Sequence, residues 1–151
     1  TCPGIYGAEY ESTLLLHDTF KLAVHKDHPL AQKKIVDFND LRDERFIALT
    51  RSSPFQKIID GMLVDHGISP HYVIECDHLL RRELINANAG ITIASHSAVF
   101  RHLFSDEICF LDIAEANNYF RDIVLVYRKT RYLNHASCNF IEYIKKRFNK
   151  E

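Results

Sequence analysis

The chain has 151 residues, which suits one domain or two small lobes. Hydrophobic residues make up 46% and charged residues 26%, an ordinary globular balance that excludes disordered, collagen-like and coiled-coil classes. Nineteen basic residues against twenty acidic ones give a net charge of -1, so nothing draws the chain generally toward a phosphate backbone. No apolar run approaches the roughly 18 residues of a membrane span, and no membrane association is expected. No charged start leading into an apolar core is visible. The chain begins at Thr1 rather than Met, and is expected to be a piece of a longer protein.

The four cysteines, Cys2, Cys76, Cys109 and Cys138, form no C-x-x-C pair and no zinc spacing. Three of them fall among apolar residues of predicted elements, and free buried thiols in a reducing cytoplasm are expected.

Strands and helices alternate along the chain. Phe20 to Val24 alternates apolar and polar residues and predicts a strand that must end before Pro29. Asp37 can cap a short turn over Phe38 to Leu41. Phe46 to Thr50 is an apolar run of the kind found in strands buried on both faces. Ser53 as N-cap and Pro54 at the first position open a helix whose inner face is Phe55, Ile58, Ile59, Met62 and Leu63. Gly67 fits its left-handed stop. His71 to Cys76 is a strand. Asp77 caps a helix from about His78 to Ala89, with Leu80, Leu84 and Ile85 as its stripe and Gly90 as its end. Ile91 to Ala94 is a short strand, followed by a helix holding Val99, Phe100, Leu103 and Phe104. Ile108 to Ile113 and Phe120 to Tyr127 are further strands. An amphipathic helix from about His135 to Phe148 carries Phe140, Ile141, Ile144 and Phe148 on one side.

Successive strand–helix pairs imply parallel strands with right-handed crossovers. The strands Phe46 to Thr50, His71 to Cys76 and Ile91 to Ala94 are expected in one sheet with their carboxyl ends on a common edge, where such sheets bind ligands. Three polar junctions lie there: Thr50 to Ser53, Cys76 to His78, and Ser95 to Ser97. The first combines hydroxyls, an arginine and a helix start, so it reads either as an anion-friendly corner or as simple capping by Ser53 with the other residues solvated. For the other two, plain capping is the better reading.

No catalytic pattern emerges. The sequence has no G-x-S-x-G elbow, no phosphate-binding G-x-x-x-x-G-K and no H-E-x-x-H. His25 and His28 are separated in direction by Pro29, and Cys76 with His78 finds no third ligand, so neither a metal nor a cofactor is expected. Ser95, His96 and Ser97 point in different directions at a helix start, which argues against a nucleophile and base.

The order of these pieces resembles the LysR-type transcriptional regulators. Phe20 to Ala31, ending His28-Pro29-Leu30-Ala31, resembles the segment where that family crosses from the first effector-domain lobe to the second. Asp37 to Leu41 resembles the short turn that follows. Leu84 to Ala94 resembles a helix ending V-x-A-G and a strand G-I-x-x-L-P, with Ala94-Ser95 in place of Leu-Pro. Pro3-Gly4-Ile5 resembles the close of the first-lobe strand, with Cys2 replacing an acid. Tyr127-Arg128 followed by an apolar helix resembles the family's end.

The resemblance implies an α/β, periplasmic-binding-protein-like (type 2) two-lobe domain. Its second lobe would be complete over 26–114. Its first lobe would be partial, with a remnant and hinge strand over 1–25 and a return crossing, strand and helix over 115–151. The implied function is effector sensing in a bacterial, cytoplasmic regulator rather than catalysis. A small anionic metabolite would bind between the lobes and bias DNA binding by a helix-turn-helix domain lying outside this chain. The implied effector contacts are Thr50, Arg51, Ser52, Ser53 and Ser95, with Tyr6 and Gly7 from the first lobe. Homo-oligomerisation is implied as well, a dimer for this piece and a tetramer for the whole regulator. The alternative with the same two-lobe plan is a solute-binding protein of a transport system.

Overall fold

The computed structural model describes residues 7–96 and 104–148. The readings on Pro3 to Ile5, on Tyr6, and on the helix through Val99, Phe100 and Leu103 lie outside the described residues. The elements are β1 (Tyr10–His25), β2 (Ile35–Val36), β3 (Arg45–Leu49), α1 (Pro54–Asp65), β4 (His71–Cys76), α2 (His78–Asn86), β5 (Thr92–Ser95), β6 (Ile108–Ile113), β7 (Phe120–Arg128) and α3 (His135–Phe148). Short 3-10 turns occupy Pro29–Gln32, Phe38–Leu41 and Ala116–Asn118. The chain divides into two compact units: residues up to Asp18 with those from Phe120 onward, and Thr19–Tyr119.

In the Thr19–Tyr119 unit, the second half of β1 pairs antiparallel with β5, from Phe20↔Ser95 to Ala23↔Thr92, and with β6, from Leu22↔Leu111 to His25↔Ile108. Strand β2 runs parallel to β6 through Val36↔Ile113. Strands β3 and β4 form a parallel pair closing at Leu49↔Cys76. The expectation of one continuous sheet for β3, β4 and β5 is corrected here. β5 belongs to the β1 ladder, and a single parallel bridge, Phe46↔Ile91, joins it to β3. The bridge consists of Ile47 N–H donating to Ile91 O at 2.9 Å and Ile91 N–H donating to Arg45 O at 2.8 Å.

Two apolar clusters hold this unit. One packs Phe55, Ile59, Met62 and Leu63 of α1 on Phe20, Leu22, Phe46, Leu49, Ile91 and Ile93. The other packs Ile85 of α2 on Ala23, Ile47, Cys76, Ala94 and Ile108. Fully buried Met62 and Ile85 each contribute about 2–3 kcal/mol by removal from water. The α1 stripe is as the 3.6-residue period required, with Ile58 half-buried at its edge.

Both helices end in the same device. Gly67 stands at φ 67°, with Gly67 N–H on Val64 O and Ile68 N–H on Leu63 O, both at 2.9 Å. At α2 the left-handed residue is Asn88, at φ 53°, with Asn88 N–H on Ile85 O and Ala89 N–H on Leu84 O, again at 2.9 Å. These are paired Schellman bonds. Gly90 therefore does not end α2 as its sequence position implied. It is needed because a Cβ there would lie 2.4 Å from Arg45 O.

The other unit contains the first half of β1, β7, which pairs with β1, and α3. Strand β1 begins ten residues ahead of the predicted Phe20, since residues 10–19 alternate too weakly in polarity to signal a strand. Asp18 is fully buried and pairs with Arg121 at 2.6 Å. Asn134 Oδ1 accepts Ser137 N–H at 2.8 Å at the start of α3. The predicted stripe of α3 splits: Ile141, Ile144 and Phe148 are half-buried, whereas Phe140 is exposed. The expected burial of the cysteines holds for Cys76. Cys109 is half-buried and Cys138 is exposed on α3, and all three are free thiols.

Candidate functional site

Strand β4 flanks β3 on one side and β5 approaches it on the other; the chain leaves β3 through α1 toward β4 and leaves β5 toward β6, on the far side of β1, so the two connections run in opposite directions. That is a topological switch point, the place where open α/β sheets take ligands. Thr50 and Ser95 each stand four residues past the Phe46↔Ile91 pair, so they lie level at the carboxyl ends of β3 and β5. The common edge predicted for the three junctions is therefore present. Thr50 N–H also donates to Cys76 O at 3.2 Å, which ties the end of β4 to the same edge.

The pairing of β3 with β5 stops short of that edge, and one side chain accounts for it. The N–H groups of Ile47 and Leu49 point to the same side of β3, toward β5. Ile47 donates to Ile91, but Leu49 donates to Gln56 Oε1 at 2.8 Å. Gln56 is 3% exposed, and its Nε2 donates to Asp60 Oδ1 at 2.8 Å and to the Tyr72 hydroxyl at 3.1 Å. Tyr72 in turn donates to Asp60 Oδ1. Burial first, then the Asp60 bond, push the Tyr72 phenol far above its ordinary value, so it stays protonated. Thr92 Oγ1 donates to Ile47 O at 2.9 Å as the last link between β3 and β5 among the described residues. Gln56 was not legible as a site residue. Its signal was a polar residue on the inner face of an apolar helix.

The hydroxyl corner differs in detail from the expectation. Thr50 and Ser52 are exposed and their hydroxyl oxygens lie 3.3 Å apart. Ser53 occupies the N-cap with extended backbone, but its side chain makes no capping hydrogen bond. The start of α1, with its partial positive charge, thus lacks the side-chain acceptor that a capping serine usually supplies. Arg51 is turned to solvent, and its Nε donates to Glu75 Oε1 at 2.7 Å. That bond raises the Arg51 value and leaves this arginine charge-compensated. Ser95 is buried at the end of β5, opposite Phe20. Gly7 is exposed and belongs to the other unit, where its carbonyl accepts Tyr10 N–H at 3.0 Å. At the second junction Asp77 is a structural cap, its Oδ1 accepting Leu80 N–H at 2.9 Å.

The sequence reading missed Arg81. The predicted α2 stripe placed Leu80 inward, yet Leu80 is 45% exposed and Arg81 only 4%. From α2, the Arg81 guanidinium reaches to 6.0 Å from the ring centroid of Phe55 in the first turn of α1. Phe55 packs on Phe20 with the rings tilted and their centroids 5.5 Å apart. Nη2 of Arg81 is 3.5 Å from His78 Nδ1, while Nε and Nη1 are buried with no acceptor among the described residues. Burial pushes this guanidinium down to about 10. It also opposes the rise that burial causes in the Cys76 thiol. Among the described residues no three His, Cys, Asp or Glu side chains gather into a metal site. No described helix is long and apolar enough to cross a membrane.

Parallel β3 and β4, helices α1 and α2 packed in two separate clusters, and polar junctions at the switch point define the class: an open α/β fold of the ligand-binding kind. The family model described as "LysR substrate binding domain" matches residues 3–149, and the chain belongs to that family. It is 25% identical over 137 residues to the uncharacterized HTH-type transcriptional regulator YwbI of Bacillus subtilis (strain 168), covering 90% of this chain and 45% of that one. The chain thus spans about half the length of this curated relative. Among solved structures, the effector binding domain of QuiR in complex with shikimate matches with a TM-score of 0.79 at 22% identity, over 99% of this chain and 70% of that one. The regulatory domain of Synechocystis PCC6803 CcmR in complex with 2-PG matches with a TM-score of 0.82 at 19% identity, over 98% and 71%.

Proposed function

We propose that the chain is the effector-sensing part of a LysR-type transcriptional regulator that works in the bacterial cytoplasm. In this reading a small anionic metabolite binds at the corner formed by Thr50, Ser52, Ser53 and Ser95. The observation that carries it is the level placement of Thr50 and Ser95 beside an α1 start that Ser53 does not cap. Hydroxyls and helix-start amides supply donors without a fixed positive charge, a suitable cradle for an oxyanion. The shikimate and 2-PG complexes of structurally similar domains support a ligand of this size and kind.

Ligand binding biases an oligomer only through different affinity for its two arrangements. In this reading the DNA-reading element is a separate domain of the intact regulator. The test uses the intact regulator. Thr50→Val with Ser52→Ala should shift the inducer dose curve to higher concentration and leave DNA affinity without inducer unchanged. An unmoved dose curve would mean that Thr50 and Ser52 only finish a helix start.

A further inference from the structure

We infer that Arg81 is the residue that reads the effector's charge, and that the ligand is a singly charged carboxylate on an apolar or ring-shaped body. This rests on the proposed corner and names its ligand class. An arginine reaching inward from α2 while the neighbouring Leu80 faces solvent reverses the usual partition of these residues. The guanidinium extends from α2 to the first turn of α1, which lies in the other apolar cluster, so its head group sits at the carboxyl edge of the sheet. Its Nε and Nη1 are buried with no acceptor among the described residues. A buried charge with unused donors is costly, and an anion accepting from it removes the cost.

The chemistry around it sets the class. The planar guanidinium fork matches the two oxygens of a carboxylate. Arg51, the other arginine of the corner, is already compensated by Glu75, which leaves one positive charge to be met. The ring beside Arg81 is that of Phe55, which packs in turn on Phe20, an apolar setting suited to an apolar or cyclic body rather than a second charge. Thr50 and Ser52 then serve the hydroxyl or remaining polar groups of the ligand.

The test uses this chain with benzoate, shikimate, benzamide and inorganic phosphate as probes, read by thermal shift and by the Arg81 Nε–H signal in nitrogen-15 NMR. The signal is assigned by its loss in Arg81→Met, a change that removes a buried charge and keeps the volume. Benzoate or shikimate should move the signal saturably and raise the melting temperature, and benzamide should do neither. Arg81→Met should weaken the carboxylate by about ten- to a hundredfold, the loss of a charge-assisted bond, and Thr50→Val by only severalfold. Unchanged carboxylate affinity in Arg81→Met, with loss in Thr50→Val and Ser52→Ala, would overturn the role of Arg81 and leave the corner standing. Loss in Arg81→Met alone would support Arg81 and overturn the hydroxyl corner. Equal response to benzamide, preference for phosphate, or no response to either carboxylate would overturn the ligand class.

Discussion

The backbone N–H of Leu49 donates to the side-chain carbonyl of Gln56, 2.8 Å away, and not to strand β5. This bond ends the β3–β5 pairing one rung after it begins. Gln56→Leu strands the Leu49 donor and withdraws a donor from Asp60, both largely buried. It should cost about 1–3 kcal/mol, measured by urea unfolding. Gln56→Glu keeps the acceptor for Leu49 but sets a second carboxylate against Asp60. Its loss of stability should therefore grow as pH rises through the carboxylate range.

The close approach of Gly90 to Arg45 makes a second prediction. Gly90→Ala pushes a methyl into a backbone oxygen that carries the Ile91 bond. About 1–3 kcal/mol of destabilisation is expected. Asn88→Ala should cost about 1 kcal/mol, since alanine tolerates the left-handed region worse than asparagine. Asn88→Gly should be close to neutral. Thermal unfolding of the three variants would rank them.

Asp40 gives a pH-dependent term. Its carboxylate accepts Lys33 Nζ at 2.5 Å and the Asp37 N–H at 3.2 Å, and these bonds, the lysine first, hold it below its ordinary value near 3.8. The unfolded chain therefore binds more protons over the acid range. The stabilisation is present above the ordinary value and is lost as pH falls through the folded one. Asp40→Asn should flatten that part of the acid limb and lower neutral stability by no more than about 1 kcal/mol, because the pair is near the surface. A pH series of urea midpoints checks the slope.

Phe140 and Tyr143 stand one turn apart on α3, 59% and 61% exposed. Two aromatic rings held side by side in water favour self-association. The chain should associate with rising concentration in sedimentation velocity, and Phe140→Lys with Tyr143→Lys should shift it toward monomer. An unchanged distribution would move the contact away from α3.

Much of the fold could be read from local chemistry. Ser53-Pro54 and the period of Phe55, Ile59, Met62 and Leu63 define α1, and Gly67 its stop, because these depend on neighbours in the chain. The parallel junctions and the placement of Thr50 level with Ser95 follow from alternation and crossover handedness. The rest depends on distant partners. Asn88 does the work assigned to Gly90 because Gly90 is required by Arg45, forty-five residues earlier. Leu80 and Arg81 differ by one position on a helix whose apolar stripe is too sparse to fix its rotation. Gln56 becomes informative only once Leu49 is seen to lack a partner in β5.

The interrupted pairing of β3 and β5 also bears on how this protein can change. Beyond Thr92 the two strands share no ladder bond among the described residues, so the residues at their carboxyl ends have no common register to protect. On the proposed reading, substitutions at Thr50, Ser52 or Ser53 change ligand recognition and leave the sheet's hydrogen bonds in place. Specificity can therefore drift in evolution, or be redesigned, at small cost in folding. Gln56 is the position to hold fixed while the rest of the corner is varied.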